Sequence, residues 1–402
     1  MRAVKWGVGA ALAHRLFLSL WLALVWGVVG AHLNGVQADF HTAGAQLPKL
    51  ESPADETIFG VWRRWDAVHY LDLAANGYRV ENPGPTVFGV LTPFSIRAFD
   101  AVLPGSLDLA AMVFETLAFG LALTLIFKLG ETYYSDAELG RWALIVTVLL
   151  PLSYFFEAPM SESIYLAMTL GVFYFGAKKR WLAAAICGLL ATLARSQGVL
   201  LLSIAGLMLL EQNGFDLRDR TRWFDPFKKA IAQGWTLLLI PLGFAGFELY
   251  RRSLGLPPLN QVYTDISYNY FTNPIDGLIT NLRWLVAHPF DITSVDLWAM
   301  LIALLLSFAA LRFPRHRRLP LVAYNFGFIL LFASRINYFY GTHNAMFTQS
   351  FGRYTLTLFP LTFLVADGLR STTPLLRVLG VAILVLGIVA FSALYVLALT
   401  GP

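Results

Sequence analysis

Apolar runs of about 15 to 25 residues recur along most of this chain, and no other feature constrains its fold as strongly. They fall at 11–31, 107–129, 141–158, 160–177, 181–194, 197–210, 232–250, 297–313, 319–334, 353–369 and 375–398. About eleven membrane-crossing helices follow, so the expected fold is an all-α polytopic membrane bundle occupying residues 1–402 as a single domain. Composition agrees: 57% of residues are hydrophobic and 14% charged, with a mean hydropathy of +0.61. A water-soluble domain of this length cannot bury that much apolar side chain. Cys187 is the one cysteine, which excludes an intramolecular disulfide and a cysteine-rich metal site.

The formal charge of +5 does not point to nucleic acid, because the basic residues sit in short clusters between apolar runs. Lys178-Lys179-Arg180, the group from Arg218 to Lys229, and Arg315-His316-Arg317-Arg318 all fall on one side of the alternation. The positive-inside rule then places these clusters and the N-terminus in the cytoplasm, and residues 32–106 outside. Residues 251–296, rich in Asn, Tyr, Pro and Asp, form a second large external loop.

The first external loop carries Trp65-Asp66-Ala67-Val68-His69-Tyr70-Leu71-Asp72-Leu73, followed by Asn76-Gly77-Tyr78. Asp66, His69, Tyr70 and Leu73 stand at i, i+3, i+4 and i+7. A helix would therefore show a carboxylate, an imidazole and a phenol on one face above an apolar anchor. Gly77 is placed to end it. Trp62 and Trp65 suit the membrane interface and could also stack on a sugar or an isoprenoid. The plain alternative for Asp66 is a helix cap or an ion-pair partner of Arg63 or Arg64.

Further along, Glu157-Ala158-Pro159-Met160-Ser161-Glu162-Ser163 puts two acids and two hydroxyls at the external end of a span, an expensive place for idle charge. Arg195-Ser196-Gln197-Gly198 interrupts an apolar run at the same level, where a guanidinium meets a phosphate or simply snorkels to the headgroups. The loop from Arg335 to Tyr354 adds Arg335, His343, Arg353 and Tyr354 as a second possible phosphate clamp. Glu115 and Asp367, inside spans, raise ion coupling but form no evident relay. No phosphate-cradling glycine loop or zinc-ligand spacing occurs.

Three of these blocks resemble the PIG-V family, mannosyltransferases that add the second mannose in glycosylphosphatidylinositol assembly. They are Arg64 to Tyr70 with Gly77-Tyr78, then Phe155 to Ser163 leading to Ala194 to Gly198, and finally Gly352-Arg353-Tyr354 with Phe359-Pro360. The family is similar to the wider GT-C glycosyltransferases. The resemblance implies a GT-C-like bundle whose external loops carry the active site, with a catalytic acid in the first of them and a polyprenyl-phosphate sugar as donor. Here that acid is Asp66. Relatives usually carry a Phe-Phe-Pro block shortly after the Gly-Tyr, whereas this chain reads Thr86-Val87-Phe88-Gly89-Val90-Leu91-Thr92-Pro93.

The combined expectation is an inverting glycosyltransferase that moves a hexose, mannose first, to an acceptor hydroxyl on a glycan, glycolipid or protein. Asp66 is the expected base. No cofactor and no essential metal are expected, since cationic donors such as Arg195 or Arg353 suffice for a phosphate leaving group, while His69 beside Asp66 leaves a metal-assisted version open. Trp65, His69, Tyr70, Glu157, Ser161, Glu162, Arg195, His343, Arg353 and Tyr354 are the expected substrate contacts, and Tyr70, Phe155 and Phe156 would line the mouth of a lipid groove. Short external loops and the lack of a retention signal favour a prokaryotic plasma membrane with the site outside; in a eukaryote the membrane would be the endoplasmic reticulum. A transporter or flippase of lipid-linked sugars needs the same clamp, together with inverted repeats and midplane polar groups.

Overall fold

The computed structural model describes residues 2–30, 45–50, 52–216, 219, 223–338 and 346–397. His343, Arg218, Arg220 and Arg222 lie outside the described residues. The first helix, α1 (Arg2–Val29), precedes a segment holding α2 (Pro53–Ile58), α3 (Asp66–Asn76) and α4 (Leu91–Asp100). A bundle follows, of α5 (Leu107–Thr132), α6 (Ala137–Leu149), α7 (Glu162–Ala177), α8 (Trp181–Ala194) and α9 (Leu201–Gln212). The second half contains α10 (Phe224–Gly234), α11 (Leu239–Ser253), α12 (Leu259–Gln261), the strand β1 (Asn269–Phe271), α13 (Pro274–Ala287), α14 (Val295–Ala310) and α15 (Leu319–Ala333). The strand β2 (Arg335–Asn337), α16 (Phe351–Thr355), α17 (Phe359–Ser371) and α18 (Pro374–Val396) complete it.

Each expected span contains helical backbone among the described residues, and the chain is a multi-pass membrane protein. Among the described residues, length and apolarity alone qualify five stretches to cross a bilayer: Arg2–Val29, Leu107–Thr132, Phe224–Ser253, Ile292–Ala310 and Pro374–Val396. The other expected spans are shorter or broken. Pro151 follows the end of α6, and the chain runs on through a 3-10 turn at Ser153–Phe156. Those four residues are all buried, as non-helical backbone at membrane depth must be.

Helix α1 packs on α5, which also carries α6 and α7; α8 packs on α7 and α11, and α17 on α6. Small residues set the closest approaches: a Cβ on Gly130 of α5 would lie 2.3 Å from Gly140 Cα of α6. In lipid, association rests on such packing more than on any hydrophobic drive.

A polar cluster crosses this core. Glu157 is fully buried, with Arg15 Nη2 2.8 Å from its Oε2 and His14 Nδ1 3.1 Å from its Oε1. Thr116 Oγ1 donates to it at 3.1 Å. The expected substrate contact of Glu157 is thereby corrected: its oxygens face α1 and α5. Glu115 is also fully buried, and neither of its oxygens accepts a hydrogen bond among the described residues. Asp367 belongs elsewhere, in an ionic layer that ties helix ends together. There Asp136 pairs with Arg370 and Arg315, Asp367 with Arg370 and His316, and Glu211 with Arg318.

Removing one partner of a buried ion pair costs about 3–5 kcal/mol, whereas replacing both with apolar groups of similar size is often neutral. Glu157→Ala is therefore expected to lower the unfolding midpoint in detergent steeply, and Arg15→Leu combined with Glu157→Leu to recover most of the loss. Equal losses in the single and double variants would contradict the pairing.

Candidate active site

Helix α3 adopts the expected register. It begins at Asp66 and ends at Asn76, where Gly77 takes a positive φ of 76° and its N–H donates to Leu73 O. Leu73 packs in a cluster with Tyr78, Phe247, Leu256 and Leu259, while Asp66, His69 and Tyr70 face a cavity.

Three arginines hold α3 in place. Arg63 bonds both oxygens of Asp108 on α5, at 2.7 and 2.6 Å. Arg79 bonds both oxygens of Asp72, at 2.9 and 2.8 Å, so the second carboxylate of the motif is structural. Arg97 of α4 donates to the carbonyls of Ala74 and Ala75 at the helix's C-terminal end, the end that attracts cations. Trp65, just before Asp66, has φ 53° and ψ −132°, a conformation a bulky residue keeps only where its surroundings impose it.

Asp66 ends an alternating chain of charges. Arg353 Nη2 donates to Asp66 Oδ2 at 2.7 Å. Arg353 Nε lies 2.8 Å from Glu162 Oε1, and Arg195 Nη1 donates to the same oxygen at 2.6 Å. Glu162 is 0% exposed and stands behind the two guanidiniums, so it orients arginines where the sequence suggested a sugar contact. Ser161 is likewise buried behind the cavity, and its hydroxyl accepts a bond from Tyr70 OH at 2.8 Å. Burial pushes the Asp66 carboxyl up, but Arg353, His69 and Arg195 together outweigh it and hold the group below the usual aspartate value. Asp66 is therefore ionised at neutral pH.

The cavity has a volume of ≈ 470 Å³. Asp66, His69, Tyr70, Arg195, Arg353 and Tyr354 all line it, so expected residues from three distant blocks converge. Phe88, from the divergent segment, forms part of the wall, with its ring 4.7 Å from Tyr70 and 6.0 Å from His69. Gly89 beside it is required by close approach: a Cβ there would lie 2.3 Å from Leu193 O and 2.5 Å from Ala194 O.

Trp65 and Phe155 line a second cavity of ≈ 360 Å³, largely aromatic and aliphatic, which shares Arg353 and Gln349 with the first. Phe156, expected at a groove mouth, is fully buried and stacked on Phe119 instead. Among the described residues no group of three or more His, Cys, Asp or Glu side chains is placed to hold a metal.

Sequence reasoning did not single out Asn82, Tyr263, Asn269, Asn337 or Gln349, all of which line the larger cavity. Asn269 and Asn337 arrive on a two-stranded antiparallel ribbon pairing Asn269 with Asn337, Tyr270 with Ile336 and Phe271 with Arg335. Strands of three residues are too short to show alternation. Asp296 was also missed, although an acid opening a span is itself a signal. Its oxygens accept the N–H groups of Ser350 and Gly352, each at 2.7 Å, and so fix the short helix α16 that carries Arg353.

Residues 34–254 match the model of the mannosyltransferase (PIG-V) family. The chain belongs to this family. The matched region includes Asp66, Glu162 and Arg195, while Arg335 and Arg353 lie beyond it. Over 243 residues the chain is 26% identical to GPI mannosyltransferase 2 of Schizosaccharomyces pombe, covering 55% of this chain and 51% of that protein. Over 145 residues it is 28% identical to GPI mannosyltransferase 2 of Cryptococcus neoformans var. neoformans, covering 34% of each. The matches thus span about half or less of those relatives. In structure the PIG-V chain resembles ArnT from Cupriavidus metallidurans bound to undecaprenyl phosphate, with a TM-score of 0.51 and 12% identity over 90% of this chain and 63% of that one. The likeness establishes the GT-C fold.

A hydrogen bond to a charged partner contributes about 1.5–3 kcal/mol. Asp296→Ala frees two backbone donors and should lower the unfolding midpoint in detergent, while Asp296→Asn retains an acceptor and loses less. Equal midpoints for Asp296→Ala and the wild type would show that the carboxylate does not hold α16.

Proposed function

We propose that this PIG-V protein is an inverting hexosyltransferase, with mannose the first choice of sugar, that uses a polyprenyl-phosphate donor and an acceptor hydroxyl at the extracytoplasmic face. One observation carries this reading: an ionised carboxylate, Asp66, opens into the same cavity as Arg195, Arg335 and Arg353. Family membership, the names of the relatives and the lipid phosphate bound to ArnT support the same reaction class.

The donor is a phosphodiester linking a sugar C1 to a polyprenyl phosphate. In one displacement the acceptor oxygen forms a bond to C1 from the face opposite the phosphate, the C1–O bond to phosphate breaks, and Asp66 takes the acceptor's proton. A hydroxyl is a weak nucleophile until that proton leaves, and a carboxylate in hydrogen-bond reach supplies the transfer. The departing lipid phosphate gains one negative charge while Asp66 loses one. Guanidiniums already in place stabilise that build-up without rearrangement. Asn82, Gln197, Asn269, Asn337 and Gln349 line the cavity with neutral amides suited to sugar hydroxyls, and the aromatic second cavity beside Arg353 suits an isoprenoid chain. The acceptor is a glycan, glycolipid or protein.

The direct test gives purified protein in lipid a labelled polyprenyl-phosphate mannose and an acceptor extract. Asp66→Asn should lower transfer by roughly 10²–10⁴-fold, the usual contribution of a general base, with the folded protein retained. Wild-type protein that transfers no sugar yet moves the labelled lipid between leaflets would replace this reading by a flippase.

A pH profile supplies a second test. Activity falls as pH drops through the Asp66 pKa, which Arg353 helps to depress. Arg353→Gln removes that charge and leaves burial to act, so the acid limb should move to higher pH, in addition to any loss of rate. An unmoved acid limb would show that another group limits the reaction.

A further inference from the structure

We infer that Arg335, on the ribbon formed by β1 and β2, receives the donor's phosphate, and that Arg195 and Arg353 mainly orient the base and complete the wall. The assignment rests on the lipid-phosphate reading above. It follows from how charge is distributed around the cavity.

Arg353 faces two carboxylates, Asp66 and Glu162, and Arg195 shares Glu162 with it. Among the described residues no carboxylate lies within ion-pair distance of Arg335. Its partners are neutral: Nε donates to Asn269 Oδ1 at 3.1 Å and Nη1 to Tyr354 OH at 3.0 Å, while the guanidinium lies 5.1 Å from the centre of the Tyr263 ring. A half-buried cation held by neutral dipoles and a ring has no anion to balance it, and an anion in the cavity it lines completes it. The five groups Asp66, Arg353, Glu162, Arg195 and Arg335 carry a surplus of one positive charge.

The mounting suits that task. Arg335 opens β2 opposite Phe271 of β1, and Asn269, whose amide oxygen orients the guanidinium, is itself fixed by donating to Ser267 O at 2.8 Å. Tyr354 connects the two parts of the site. Its hydroxyl takes the Arg335 bond, and Arg195 lies 5.0 Å from the centre of its ring. The ligand chemistry is a phosphate ester, and a planar guanidinium can offer it two parallel N–H groups.

The test measures binding apart from turnover. Wild-type protein in detergent is titrated with a short-chain polyprenyl monophosphate and, separately, with inorganic phosphate, following the ligand-induced rise in unfolding midpoint. The lipid monophosphate should bind more tightly if the chain contributes, and equal affinities would assign the site to free phosphate. Arg335→Gln should weaken lipid-phosphate binding at least about tenfold, Arg335→Lys should retain part of it, and Arg195→Gln should change it much less.

A second readout separates ligand binding from a structural role. Losing an under-compensated cation should leave the ligand-free midpoint of Arg335→Gln unchanged or raised, whereas a structural arginine would lower it. Wild-type affinity in Arg335→Gln, a lowered ligand-free midpoint with lost binding, or an equal loss in Arg195→Gln would overturn the assignment. Arg335-dependent binding in a protein that transfers no sugar would leave the assignment standing and remove the transferase reading; sugar transfer with Arg335-independent binding would do the reverse.

Discussion

The site depends on one carboxylate oxygen. Glu162 Oε1 meets both Arg195 and Arg353, and Arg353 in turn meets Asp66. This alternation joins the start of α3, the start of α7, the end of α8 and the segment before α17. Two guanidiniums so close would repel strongly in a low-dielectric interior without the anion between them. The same chain of charges keeps Asp66 ionised, so packing and the charge state that the proposed reaction requires come from a single arrangement.

The protein also separates its charges by depth. Near one end lie the cavity and its arginines; at another level, Asp136, Asp367 and Glu211 pair with Arg315, Arg318 and Arg370 to bind the ends of α6, α9, α15 and α17. Between them, packing rests on small residues such as Gly130 and Gly140. The buried His14, Arg15 and Glu157 cluster interrupts this apolar zone, and its polar atoms largely satisfy one another.

Much of this was legible in the sequence because hydropathy and helical period are local. The spans, the register of α3 and its glycine stop follow from residues a few positions apart. Asp66, Arg195 and Arg353 stood out as charges at span ends, where idle charge is costly. Glu157 and Glu162 stood out for the same reason, yet the sequence does not say whether a buried acid faces ligand or protein. His14 and Arg15 answered that for Glu157, and two arginines answered it for Glu162. The β1–β2 ribbon was illegible because its strands are too short to carry a pattern, and with it went the roles of Asn269 and Asn337.

The pair that closes the site joins residues 287 positions apart. Insertion into a membrane proceeds from the first segment onward, so Asp66, Glu162 and Arg195 are all in place before Arg353 has been synthesised. Until then Glu162 holds only Arg195, and Asp66 has no cation from the last quarter of the chain beside it. The Asp66–Arg353 contact therefore forms late, and a chain truncated before α16 would carry the Asp66 motif without the arginine that pairs with it.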